Sequence, residues 1–205
     1  MLRALRRAAD RRRQAHGDYA WLFYPYTGDE LVAIDCQTTG QDPRSAELVS
    51  IAAVRLRGDR VLTSDSLDLR LRRPASLDSE ALRLCGLRRV DLVDGESLDQ
   101  ALVRLLDFVG NRPLVGWHLD HALAILNREL RGRLGFDLPN ARIDVAQEYL
   151  RQRRRSHLEL GRQPRFEQVA EGLGLPVMGP HTALGNAVTT ALMHLRLSRG
   201  ALPVP

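Results

Sequence analysis

Residues 31–40 read Leu31-Val32-Ala33-Ile34-Asp35-Cys36-Gln37-Thr38-Thr39-Gly40. A short apolar run meets an acid and then a polar, glycine-terminated segment. Leu31 to Cys36 therefore reads as a buried strand carrying Asp35 near its end. Two further strands follow, Glu47 to Arg57 and Arg60 to Leu71, joined by a turn at Gly58-Asp59. The second alternates: Leu67, Leu69 and Leu71 on one face, Asp68 and Arg70 on the other. Ser76–Leu84 and Ser97–Val109 suit helices, the latter with Ser97 as N-cap and Leu98, Ala101, Leu102 and Leu105 at helical spacing. Pro113–Gly116 reads as a short strand.

Farther on, Asp120–Leu134 and Asp144–Arg154 read as helices, with Asp120 as the N-cap of the first. An arginine-rich stretch over 151–165 reads as a mobile loop. Phe166–Leu173 and Thr182–Ser198 close the chain as helices. A leading group of strands followed by helices, with one strand between, predicts an α/β fold: a mixed sheet with helices on both faces. The expected organisation is a basic arm over 1–29, one domain over 30–199 and a tail over 200–205. In the arm, Leu2, Leu5 and Ala9 can share one helical face. The cluster Tyr19, Trp21, Phe23, Tyr24 and Tyr26 is expected to pin the arm onto the domain, although aromatics beside arginines could also stack bases.

The 205 residues suit a single domain, and 44% hydrophobic content is enough for an ordinary core. No apolar run reaches the roughly eighteen residues of a membrane span, and the basic start lacks the apolar stretch of a signal peptide. Cys36 and Cys85 form no zinc pattern and read as reduced, buried thiols. No membrane association and a cytoplasmic location are the expectations. Net charge is +5, and all thirty basic residues are arginine. That balance allows phosphate binding without proving it.

Two later segments bear on chemistry. Gly116-Trp117-His118-Leu119-Asp120-His121-Ala122-Leu123-Ala124-Ile125-Leu126 opens the helix after the short strand. His181-Thr182-Ala183-Leu184-Gly185-Asn186-Ala187 opens the last one. With 31–40, these segments resemble, in order, the three motifs of the DEDDh class of 3′–5′ exonucleases, the type of the DNA polymerase III epsilon subunit. The resemblance covers residues 30–198 and implies a ribonuclease H-like fold. In that family the first motif reads Asp-x-Glu-Thr-Thr-Gly, the second Gly-His-Asn-x-x-Phe-Asp, and the third His-x-Ala-Leu-x-Asp-Ala.

The resemblance implies metal-ligand positions at Asp35, Gln37, Ala122 and Asn186, with His181 in the general-base position. Thr38, Thr39, Gly40 and His118 are implied to approach a bound nucleotide, and Asp144 to support structure. Only Asp35 keeps its carboxylate. Two-metal hydrolysis places two divalent ions roughly 4 Å apart, and hard anionic oxygens must hold them. One charge pair at about 4 Å is worth roughly 4 kcal/mol at an effective dielectric near 20. Losing three such partners removes a tight two-Mg²⁺ site. Asp35 is left as the one possible metal ligand, and no cofactor is expected; Mg²⁺ or Mn²⁺ would matter only to residual activity.

The leading expectation is a catalytically inactive exonuclease fold that retains binding of a single-stranded nucleic-acid end or a nucleotide. One alternative is a weak, Mn²⁺-preferring nuclease using Asp35, Gln37 and Asn186 with His181 as base. Another is a protein-binding module, as a homodimer or in a larger assembly. A new site of His118, Asp120, His121 and His181 would suit zinc or manganese, but these read as polar residues leaving on different faces of a helix start.

Overall fold

The computed structural model describes residues 2–72, 74, 76–77, 92–155 and 165–200. Three long strands come first: β1 (Glu30–Thr38), β2 (Leu48–Arg57) and β3 (Arg60–Arg70). They pair as an antiparallel meander, with Asp35 opposite Ala52 and Gln37 opposite Ser50. Two three-residue strands extend the sheet on the other side of β1: β4 (Leu114–Gly116) and β5 (Arg142–Asp144), both parallel. The order is β3-β2-β1-β4-β5. This is the expected mixed sheet, with β1 at its centre.

Helices cover both faces because successive β1 side chains alternate. Val32 and Ile34 point into one core, shared with α2 (Leu98–Val109) and α3 (Leu119–Leu134) and including Leu102, Leu105, Leu123 and Phe136. Ala33 points into the other, built with α4 (Val145–Arg155), α5 (Phe166–Gly172) and α6 (Ala183–Ser198) from Val145, Val169, Ala187 and Ala191. By the same alternation Asp35 and Gln37 lie on the α6 side. β2 is buried along most of its length, whereas β1 is buried at Glu30 and over Val32–Ile34 and half-buried elsewhere. On β3 the expected alternation holds, with Leu67, Leu69 and Leu71 buried.

The Ser97 hydroxyl caps α2 by accepting from Gln100 N. Asp120 does not cap α3. Its side chain is exposed and pairs with Arg142, while His118, in a left-handed conformation, occupies the cap position without a side-chain bond. The capping oxygen comes from Asp144, whose Oδ2 accepts from Leu119 N at 2.9 Å and whose Oδ1 accepts from Gln147 N at 3.2 Å. One carboxylate thus serves the starts of two helices. Asp144 itself ends β5, so the expected helix from 144 begins one residue later, and the sequence reading had no strand there. That helix runs on to Arg155, into the stretch expected to be a loop; residues 156–164, Cys85 and most of the 76–84 helix expectation lie outside the described residues.

The arm forms α1 (Leu2–Arg13), but the Leu5/Ala9 face does not dock. Leu5 and Ala9 are exposed, whereas Asp10 is buried. Asp10 Oδ2 accepts from Arg131 at 2.9 Å and from Asp137 N at 3.2 Å, and Arg13 also donates to its carboxylate. Gln14 donates to Leu134 O. Burial raises the Asp10 pKa, but the bonds from Arg13, Arg131 and Asp137 outweigh it and hold the carboxyl below its usual range. The aromatics do pin the segment that follows: Tyr19 and Phe23 pack on Phe136 at 5.4 and 5.8 Å between ring centroids. Tyr24 points outward and is exposed.

Candidate functional site

A cleft of about 440 Å³ opens where β1 meets the first turn of α6. Asp35, Gln37, Thr38, Glu167, His181 and Asn186 line its polar side, and Trp117, Phe166, Val177 and Pro180 its apolar side. Four of the five positions implied for metal ligands and base, all but Ala122, therefore meet in one place. Thr39, Gly40, His118 and Ala122 are not part of its lining. Thr39 is engaged elsewhere: its hydroxyl shares a hydrogen bond with Ser76 and accepts from Glu47 N. Thr38 donates to Gly40 O, which tightens the turn after β1.

The polar side is bonded to itself. Asn186 Nδ2 donates to Asp35 Oδ2 at 3.1 Å. Gln37 Nε2 donates to the backbone oxygen of His181 at 2.5 Å, and Gln37 Oε1 accepts from Ser50 Oγ at 2.7 Å. The β1–β2 register creates this last pair, because Ser50 lies directly across from Gln37. Sequence reading missed Ser50. Its only signal is a hydroxyl inside the otherwise apolar run Leu48-Val49-Ser50-Ile51-Ala52-Ala53-Val54.

Burial pushes the Asp35 carboxyl up to about 6, against the lowering effect of the Asn186 amide and the Cys36 backbone N–H. Burial, and then the Asp35 charge, raise the neighbouring Cys36 thiol well above its ordinary value. Cys36 is free and half-buried at the cleft edge, rather than deep in the core. His181 is exposed and holds φ +64, and Thr182 caps α6 by accepting from Gly185 N. Gly185 is needed there: a Cβ would lie 2.1 Å from Met178 O and 2.3 Å from Gly179 O.

Residues 32–193 match the RNase T exonuclease family. The chain belongs to this family of 3′–5′ exonucleases. It is 26% identical over 168 residues to the DNA polymerase III epsilon subunit of Aquifex aeolicus, covering 82% of this chain and 79% of that protein. It is 25% identical over 169 residues to the PolC-type DNA polymerase III of Thermotoga maritima; there it spans 81% of this chain but 12% of the polymerase. Among solved structures it is similar to cell-death related nuclease 4, with TM-score 0.69 and 15% identity over 84% of this chain and 64% of that one. Exonuclease I of E. coli in complex with a dT13 oligonucleotide gives TM-score 0.67 and 15% identity over 83% and 42% of the two chains. These two likenesses establish the ribonuclease H-like fold. No helix among the described residues is long and apolar enough to cross a membrane.

The donor set does not fit the family's metal pair. Asp35 is the one carboxylate among the five positions, Ala122 offers no ligand, and the Asn186 nitrogen faces Asp35 as a donor. Among the described residues no group of three or more His, Cys, Asp or Glu side chains could hold a metal ion. The residues imagined for a zinc-type site do not assemble: Asp120 turns outward to Arg142, and the His118 ring packs 5.1 Å from that of Trp117.

Proposed function

We propose that this exonuclease-family domain is catalytically silent and binds a single-stranded nucleic-acid 3′ end or a nucleotide in its cleft without divalent metal. The observation that carries this reading is that amides stand where the resemblance implies carboxylates, Asn186 bonded to Asp35 and Gln37 bonded to Ser50 and the His181 backbone. In a two-metal site, carboxylates repel one another until cations arrive between them. Here amides stand at two of those positions: the Asn186 N–H takes up an oxygen of Asp35 that would otherwise face a cation, and the Gln37 N–H is committed to the His181 backbone oxygen.

The cleft then carries less negative charge than its active relatives, so a phosphate meets less repulsion. Trp117 and Phe166, 5.4 Å apart in an edge-to-face pair, supply an apolar wall suited to a base. His181 lies at the mouth, where it could contact a phosphate. Relatives in this family support a nucleic-acid ligand, and exonuclease I is seen with an oligonucleotide. A cytoplasmic setting belongs to the same reading.

A degradation assay tests it, using 5′-labelled single-stranded DNA with Mg²⁺ and separately with Mn²⁺, and Asp35→Ala as control. No shortening in either metal is expected. Shortening that the control abolishes would mean that a weak, Mn²⁺-type nuclease survives on few carboxylates, and the silent reading fails.

A further inference from the structure

The arginines of α1 are not absorbed by the cleft or by the core. Asp10 is the single acid in residues 1–17, and Arg13 and Arg131 take up its charge. Arg6, Arg7, Arg11 and Arg12 are exposed and have no acidic partner among the described residues. Arg7 and Arg11, one turn apart, edge a groove of about 350 Å³ floored by Ala4, Ala8, Phe23 and Pro25. Among the described residues no acidic side chain lines it.

The location of this ridge matters. Trp117, just before α3, lines the cleft, whereas α1 is anchored through Arg131, Leu134 and Asp137 at the other end of α3. At 1.5 Å per residue the two ends lie roughly 20 Å apart. We infer that the α1 ridge is a second site, separate from the cleft, for the phosphodiester backbone of nucleic acid.

Charge complementarity and shape carry this assignment. A helix of this length spans about 18 Å. Its arginine-bearing part, Arg6 to Arg12, spans about 9 Å; phosphates follow one strand of B-DNA at about 3.4 Å of rise, so the ridge can face about three of them. Its cations are guanidinium groups, which engage phosphate oxygens in pairs. The helix is also held in place by a buried carboxylate, so its cations are presented by a docked element rather than a loose tail. A lipid surface is the poorer partner, because a membrane-seated helix needs a broad apolar face. On α1, Leu5 is the one large hydrophobic shown to be exposed.

The experiment uses the full chain and fluorescence anisotropy of a labelled 20-nucleotide DNA, single-stranded and duplex, from 50 to 200 mM salt. Wild type is compared with a variant carrying Arg6→Ala, Arg7→Ala, Arg11→Ala and Arg12→Ala. Each phosphate contact contributes roughly 0.9 to the salt slope for duplex and roughly 0.7 for single strands. The variant is expected to lose about 2–3 units of slope and about tenfold or more in affinity at 100 mM salt. A labelled trinucleotide, too short to bridge cleft and ridge, should bind both proteins equally. An unchanged slope, or no DNA binding by wild type at 50 mM salt, overturns the inference. So does DNA binding unaffected by the four substitutions alongside lost binding to phosphatidylserine vesicles. Failure of the trinucleotide to bind wild type counts against the cleft reading alone, because the slope comparison still judges the ridge.

Discussion

The side-chain amide of Asn186 donates to Oδ2 of Asp35 across 3.1 Å, and this bond fastens the first turn of α6 to the end of β1. A carboxylate at the same place would put two anions at hydrogen-bond distance, an arrangement that forces one of them to hold a proton. Asn186→Asp is therefore expected to cost about 1–3 kcal/mol at pH 8, since a charge-assisted bond is replaced by repulsion. Thermal melts check this. The loss should shrink in acid, where one carboxyl is protonated. An unchanged Tm at pH 8 would mean that the amide bond does not hold the site together.

The second prediction concerns Gly185, which lies under the loop that carries His181. Alanine there would drive its Cβ into the backbone oxygens of Met178 and Gly179, which cannot swing away as a flexible side chain can. Gly185→Ala should cost about 1–3 kcal/mol by overpacking, more than any helix-propensity gain returns. The denaturation midpoint measures it, and a neutral or stabilised variant would show that the 178–182 turn moves freely.

Much of this arrangement was legible in the sequence because it is local. The alternation of Leu67, Leu69 and Leu71, the Ser97 cap and the run ending in Asp35 depend on neighbours a few residues away. The reading of α3 failed at its start for the opposite reason. Asp120 has the right chemistry for a cap, but Asp144, from the end of β5, reaches Leu119 N instead. α1 repeats the lesson: its apolar residues Leu5 and Ala9 share one helical face, yet Asp10 decides how the helix docks, through partners more than 100 residues away. Within the site, motif spacing placed Asp35, Gln37, His181 and Asn186. Ser50 stayed hidden because only strand register sets it against Gln37.

Asp10 makes the third prediction. Asp10→Ala leaves Arg131 its bond to Asp137 and Gln14 its bond to Leu134 O but removes the charged anchor of α1. The expected result is faster tryptic cleavage at Arg11, Arg12 and Arg13, with the domain beyond residue 30 still protected. A stability loss of about 1–2 kcal/mol should accompany it, the cost of removing a buried carboxylate from partners that are themselves partly exposed. Cleavage at the wild-type rate would mean that the aromatics alone hold the arm.

Glu30 supplies a pH dependence. Hydrogen bonds from Arg112, at 2.7 Å, and from Arg57 hold its carboxyl below the ordinary glutamate value of 4.5. A depressed folded pKa gives stability that is present above the unfolded value and lost as pH falls through the folded one. Glu30→Gln should therefore cost about 1–2 kcal/mol at pH 7, a modest figure because Arg57 is exposed. The difference from wild type should fade below pH 4.5. Urea midpoints across pH 3–7 measure it, and a gap that persists undiminished at pH 3 would point to lost packing rather than lost charge.

The last prediction addresses the cleft itself. The chain has two tryptophans, and Trp21 lies at the arm, so Trp21→Phe leaves Trp117 as the sole tryptophan reporter. If a base lies on the apolar wall, a short oligonucleotide should quench that emission. Stacking on an aromatic side chain is worth roughly 1–3 kcal/mol per base. Trp117→Ala should then weaken binding of a labelled trinucleotide by about 5- to 150-fold. Because Asn186 bonds Asp35 and no cluster of carboxylates for cations is present among the described residues, EDTA should leave the wild-type affinity unchanged. Binding that requires Mg²⁺ or Mn²⁺ would mean that the Asp35–Asn186 bond opens to admit a metal. Binding insensitive to Trp117 would put the base elsewhere in the cleft.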